Sequence, residues 1–255
     1  MRKTIFTLML LFAATAVNAQ TIVKGDMNGE NEITIADVII AVDVVQDRSL
    51  KQTTYVDLGL PSKTLWASCN IGAEKPEDYG DYFAWGETAG YNDGKTDFNW
   101  STYKWCEGSK YTMTKYCSNS SYGNNGFTDN KTELDLEDDA AYVNWGPAWR
   151  MPSNEQFREL KNSEYTTTEW TTQNGVNGYK ITSKSNGNSI FLPAAGDRCD
   201  SSLSGAGSYG YYWSRTLHKG YPRDARGLDF SSGSIYTGNY GRYDGFSVRP
   251  VRLSE

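Results

Sequence analysis

The sequence predicts an α+β domain of about 200 residues, made of short, mostly antiparallel strands with one or two helices and preceded by a shorter segment of different character. Three observations predict it. From Tyr55 onward, short apolar runs alternate with clusters of Gly, Pro, Asn and Asp, the punctuation of a strand-and-turn chain. Only two stretches in that region carry helix-start chemistry. The last stretch, "FSVRPVRL", alternates large apolar with polar residues, as a closing strand does.

The chain opens with "MRKTIFTLMLLFAATAVNAQ", in which Arg2 and Lys3 precede an apolar run and then small residues at Val17-Asn18-Ala19. Residues 1–19 therefore read as a secretory signal peptide, too short for a stop-transfer helix. No Cys follows the apolar run, so no lipoprotein anchor is expected, and no later segment has the length of a transmembrane anchor. Loss of Arg2 and Lys3 with that leader takes the formal net charge from −6 to −8, which points away from nucleic acid as a partner. The 18 Tyr, 8 Trp and 25 Gly against a hydrophobic fraction of 38% fit a turn-rich protein outside the cytoplasm, whether periplasmic, at the outer surface or released.

Residues 20–47 hold a candidate calcium loop. Asp26, Asn28 and Glu30 place oxygens at alternate positions, Glu32 offers its carbonyl, and Asp37 stands at position twelve, where a bidentate carboxylate closes the cage. Ile33 is the apolar anchor, and Val38, Ile39, Val42 and Val45 follow at helical spacing. This stretch resembles one repeat of a dockerin, which implies calcium and a cohesin-like partner. It departs from that pattern in Asn31 for the turn glycine, in Glu30 for a shorter aspartate, and in lacking a second repeat. The alternative is a solvated acidic turn leading into a helix. Residues 48–54 read as a linker.

The domain proper is expected over 55–255, with strands at 55–58, 65–71, 81–86, 178–184, 189–194, 210–216, 226–230, 234–237 and 246–252. In "PSNEQFRELKNSE", Ser153 and Gln156 have the spacing of a capping box, and Phe157 and Leu160 share a face. A shorter helix is expected in "LEDDAAYVNW", where Glu137, Asp138 and Asp139 suit a helix start better than a glycosidase carboxylate pair. Four cysteines allow three fully paired connectivities; the nearest pair, Cys106 and Cys117, is the expected disulfide, while Cys69 reads as a buried thiol. The Asn99, Asn119 and Asn130 sequons are frequent by chance in so Asn-rich a chain.

The strings "YVDLGLPSKTLWASCNIGA", "YGDYFAWGE", "LEDDAAYVNWG", "WRMPSNEQFREL", "SIFLPAAG", "GYYWSRT" and "GFSVRPVR", in this order, resemble the Fibrobacter succinogenes major paralogous domain. The resemblance runs from about 55 to 252 and implies a C-type-lectin-like fold, similar to formylglycine-generating enzymes and to the variable proteins of diversity-generating retroelements. Formylglycine-generating relatives rely on a cysteine pair near the C-terminal site, and no cysteine follows Cys199, so that activity is not carried over.

The segment before "GFSVRPV" has the palette of a binding surface: tyrosine for stiff amphipathic area, Gly, Ser and Asn for adaptable polar contacts, arginine for planar donors. The expected ligand-binding residues are Arg215, His218, Tyr221, Arg223, Asp224, Arg226, Asp229, Tyr236, Tyr240, Arg242, Tyr243 and Asp244. Tyr212 and Trp213 are expected in the core, whereas Tyr236, Tyr240 and Tyr243 are ligand contacts or surface decoration. The palette also fits retroelement diversification, although Lys219 cannot arise from an asparagine codon by changes at its first two bases. His218, the single histidine, lies in this variable-looking stretch, a poor place for a catalytic base, and no enzyme constellation emerges. The expected ligand is a glycan first and a cell-surface protein second; alternatively, the protein is an accessory of a polysaccharide-degrading assembly tethered through residues 20–47.

Overall fold

The computed structural model describes residues 54–253. The expected signal peptide, the calcium ligands Asp26, Asn28, Glu30, Glu32 and Asp37, and all but the last residue of the linker lie outside the described residues. Strands β1 (Tyr55–Asp57), β2 (Thr64–Ala67) and β11 (Val251–Leu253) form one antiparallel sheet in the order β1-β2-β11, so the two ends of the described chain close on each other. Strands β3 (Thr166–Gln173), β4 (Val176–Ser183) and β5 (Ser189–Pro193) form a second sheet. A two-stranded ribbon follows, β6 (Asp197–Cys199) with β7 (Ser202–Ser204), and then β8 (Tyr209–Leu217), β9 (Asp224–Ser231) and β10 (Ser234–Gly241), ordered β10-β9-β8. Every pairing between named strands is antiparallel. Among the described residues no helix is long and apolar enough to cross a membrane.

Two short helices complete this α+β domain, each starting at an oxygen-bearing cap. In α1 (Ala140–Trp145) the Asp139 carboxylate accepts from the amides of Ala141 and Tyr142, and in α2 (Asn154–Leu160) Ser153 and Gln156 form the reciprocal capping box. Phe157 and Leu160 of α2 are fully buried with Trp66, Tyr212, Leu228 and Phe230, which joins the first and third sheets through one apolar cluster. A second cluster centres on Phe83, Trp85, Trp213 and Phe246, and a third on Phe98, Tyr103 and Met113.

The strand expected at 81–86 is absent: Tyr82, Phe83, Ala84 and Trp85 are buried as it implies, but only Phe83 pairs, with Phe246. The Asp81 carboxylate takes the amides of Tyr82 and Asn92, and Gly80 and Gly86 at positive φ bend the backbone out of the extended region. The closing strand is likewise shorter than 246–252, because Ser247 and Val248 bond to different partners, Tyr211 and Ile71, and Pro250 has no amide to donate. Strand β3, by contrast, was not expected. Its Thr-rich sequence joins β4 through Asn174-Gly175, both at positive φ, the two-residue turn that right-twisted hairpins favour.

The expected Cys106–Cys117 disulfide is not formed: all four cysteines are free thiols. The tight turn at 107–112 sets Cys106 opposite Met113, so Cys117 lies four residues past the register. The two thiols donate separately, Cys106 to the Trp100 carbonyl and Cys117 to that of Asn119. Cys69 is buried, as expected.

Arg242, expected at the surface, is 0% exposed. Its Nε donates to the Tyr103 hydroxyl at 2.8 Å, Nη1 to the carbonyls of Pro222 and Tyr116, and Nη2 to that of Lys115. The rings of Trp85 and Tyr103 lie 5.0 and 5.1 Å from its guanidinium carbon. Removing this group strands several buried acceptors at once, so Arg242→Ala is expected to cost about 3–5 kcal/mol, read as a lower midpoint in denaturant; an unchanged midpoint would show that the acceptors find other donors.

Candidate functional site

The third sheet has two unlike faces. Tyr212, Leu228 and Phe230 point into the cluster around α2, while the alternate residues Tyr211, Trp213, Asp229, Tyr236 and Tyr240 lie on the opposite side. Trp213 and Ala225 of that second face are covered by Phe246 and its neighbours, Tyr211 and Tyr240 pack on Phe246 at their edges and stay half-exposed, and Tyr209 and Tyr236 are open.

On the open part, Tyr211, Asp229 and Tyr236 stand directly opposite one another in a row across β8, β9 and β10, with Tyr209, Ser231 and Ser234 as the next row. Tyr236 is 60% and Tyr209 48% exposed, and the rings of Tyr209 and Tyr211 stack at 6.4 Å. The Tyr240 ring crosses the facing pair Gly227 and Gly238; a β-carbon at Gly238 would collide with its hydroxyl end. Burial and then the Asp229 carboxylate beside it push the Tyr240 pKa far up. Gly238 of "GNYGRYDG", with Gly227 opposite it, therefore makes room for a tyrosine lying flat on the sheet.

Carboxylates frame this face. Burial raises the Tyr211 pKa, and the charges of Asp197 and Asp229 raise it further. Asp244 is pushed up to about 7 by burial and by the neighbouring Asp197 and Asp224, and burial raises Asp197 itself. Tyr243 is half-buried, its ring 4.8 Å from Trp100, and its pKa is pushed up to about 12 by burial and by Asp244. Rings of this kind offer flat apolar faces, and carboxylates between them accept from hydroxyl groups.

The other expected residues separate. His218, Tyr221, Arg223 and Asp224 gather at a second aromatic patch: Tyr221 packs edge-on to Tyr122 at 6.4 Å, Tyr122 stacks on Tyr111 at 5.7 Å, and the Arg223 guanidinium lies 5.9 Å from the Tyr221 ring. Both Tyr111 and Tyr221 are more than half exposed. The His218 Nδ1 accepts from the Tyr221 amide at 2.9 Å, a turn-closing contact. Arg226 falls on the opposite face of β9, and Arg215 bonds to Glu133, Met151 and Gln156 away from the tyrosine row. Tyr209, Asp197, Tyr111 and Tyr122 were not singled out from sequence. The alternation of "YGYYW" carries a signal for Tyr209 and Tyr211, whereas the approach of Tyr111 and Tyr122 to Tyr221 depends on long-range folding.

The acidic run 137–139 divides by role. Asp139 caps α1, whereas Asp138 is buried and accepts from the Tyr116 hydroxyl at 2.6 Å. The Lys115 ammonium sits among Asp135, Glu137 and Asp138 at 2.7, 3.4 and 2.6 Å, and Lys104 and Lys131 pair with Asp138 and Asp135, so lysine ammonium groups already compensate this trio.

A family model described as a domain of unknown function (DUF8237) matches residues 149–251, which include α2 and β3–β10. No curated protein and no solved structure matches the chain.

The raised pKa of Asp244 has a measurable consequence. The folded state holds this proton up to about pH 7 while the unfolded chain releases it near the ordinary 3.8, so its contribution weakens stability as pH rises between those values. Asp244→Asn is expected to gain melting temperature relative to wild type progressively from pH 4 to pH 7.5; a pH-independent difference would refute the assignment.

Proposed function

We propose that the protein is a secreted, non-catalytic binding protein whose C-type-lectin-like domain presents the open face of β8–β10 to a glycan. The observation that carries this reading is the cross-strand row Tyr211–Asp229–Tyr236, with Tyr209 and Tyr240 beside it. Tyrosine faces match the C–H surfaces of sugar rings, Asp229 and Asp197 accept from sugar hydroxyls, and side chains on paired strands lose little freedom on binding. The patch of Tyr111, Tyr122 and Tyr221 extends the same chemistry to a further part of the ligand. A protein ligand is the second choice, and retroelement diversification of the C-terminal segment is the proposed origin of its palette.

Binding of the full mature chain to a broad glycan panel tests the reading. Changing Tyr236→Ala together with Asp229→Asn is expected to weaken binding by about tenfold or more with little change in melting temperature, since Tyr236 is exposed. Undiminished binding by that variant would overturn the assignment of this face.

The spacing of Asp26, Asn28, Glu30, Glu32 and Asp37 supports a second role, calcium-dependent tethering to a cohesin-like partner within a polysaccharide-degrading assembly. Association with a cohesin that survives chelation of calcium would remove it.

A further inference from the structure

A cleft of about 570 Å³ lies where the segment after Glu133, the turn at Pro147–Arg150 and strand β11 come together. Three guanidinium groups line it, those of Arg150, Arg215 and Arg252, in a protein whose formal net charge is −6. Its walls include Leu134, Leu136 and Pro147. A volume of this size is in the range of small-molecule sites.

The acidic groups in the lining are committed to the protein. Asp139 accepts from the amides of Ala141, Tyr142 and Met151, and Glu133 accepts from Arg215 Nε at 3.0 Å. Arg150 and Arg215 are committed only in part. Arg150 donates through Nη1, to the carbonyls of Pro147 and Trp149, and Arg215 through Nε and Nη1; among the described residues neither Nη2 has a protein acceptor. The Arg150 guanidinium is also stacked on the Tyr142 ring at 4.4 Å, which fixes its plane while leaving an edge to donate.

We propose that this cleft binds a carboxylate-bearing small molecule, with the carboxylate on Arg150 and Arg215 and the body of the ligand against Leu134, Leu136 and Pro147. The Nη2 edges of Arg150 and Arg215 offer planar donors to one carboxylate group, the geometry that guanidinium recognition of a carboxylate uses. The apolar walls require the carboxylate to be carried on a ring or hydrocarbon body, which a sugar acid or an aromatic acid supplies. This site is separate from the tyrosine row and does not depend on the glycan reading, since Arg215 points away from the Tyr211–Asp229–Tyr236 face.

Calorimetric titration of the full mature chain with two matched pairs, glucuronate against glucuronamide and benzoate against benzamide, tests it. The acid of at least one pair is expected to bind about tenfold or more tightly than its amide; preference in the first pair identifies a sugar acid, in the second an aromatic acid. Arg150→Gln is expected to abolish the preference and Arg150→Lys to restore part of it, while Tyr236→Ala leaves it intact. In the wild-type chain, arginine side-chain NMR signals are expected to shift with the acid and not with the amide, a readout independent of how the variants fold. Equal binding of acid and amide in both pairs, or acid binding that moves no arginine signal, overturns the proposal.

Discussion

The buried guanidinium of Arg242 is the constraint on which the architecture turns. Long stretches of residues 68–139 are irregular backbone, and irregular backbone in a core has carbonyls that no ladder satisfies. Arg242 reaches into that region from the end of β10 and serves the carbonyls of Lys115, Tyr116 and Pro222 together with the Tyr103 hydroxyl. Indole and phenol donors continue the pattern: Tyr103 donates to the Trp85 carbonyl, Trp85 to that of Ser214, and Trp213 to that of Phe83. Arg249 does the same at the first sheet, donating to Asn70, Ala67, Ser68 and Phe191, and its burial holds its pKa below the ordinary value.

This anchoring explains why one short segment serves two purposes. In "GNYGRYDG" the side chain of Arg242 goes inward, Tyr240 lies across Gly227 and Gly238, and Tyr243 packs on Trp100. Rigidity in these inward residues also holds the preceding part of β10, with the exposed Tyr236, in place. The aromatic face and the arginine-lined cleft also differ in electrostatic character: carboxylates frame the first, guanidiniums the second. A polar ligand and an anion would therefore sort between them by charge.

Much of this fold was legible because its signals are local. The Ser153–Gln156 capping box, the Asp139 cap, the burial of Phe157 and Leu160, and most strands of the second and third sheets follow from residue chemistry within a few positions. The run 81–86 misleads because burial is shared by strands and by loops pinned through side chains, and an apolar pattern does not distinguish them. A Thr-rich strand such as β3 carries a weak apolar signal, and its turn at Asn174-Gly175 was the better clue.

By itself the sequence determined an α+β chain with two capped helices, a strand-rich second half and a tyrosine-rich terminal segment. Only the tertiary structure decided which of those terminal residues share a surface. Arg242 and Tyr236 lie in the same Tyr- and Gly-rich stretch of the chain, yet one is sealed in the core and the other open to solvent. The physical reason is that strand alternation assigns a side, whereas burial on that side depends on which distant elements cover it. Phe246 packs against Trp213, and the loop carrying Lys115 and Tyr116 closes over Arg242. The meeting of Arg150 and Arg215, 65 positions apart, at one cleft is a product of the same long-range packing.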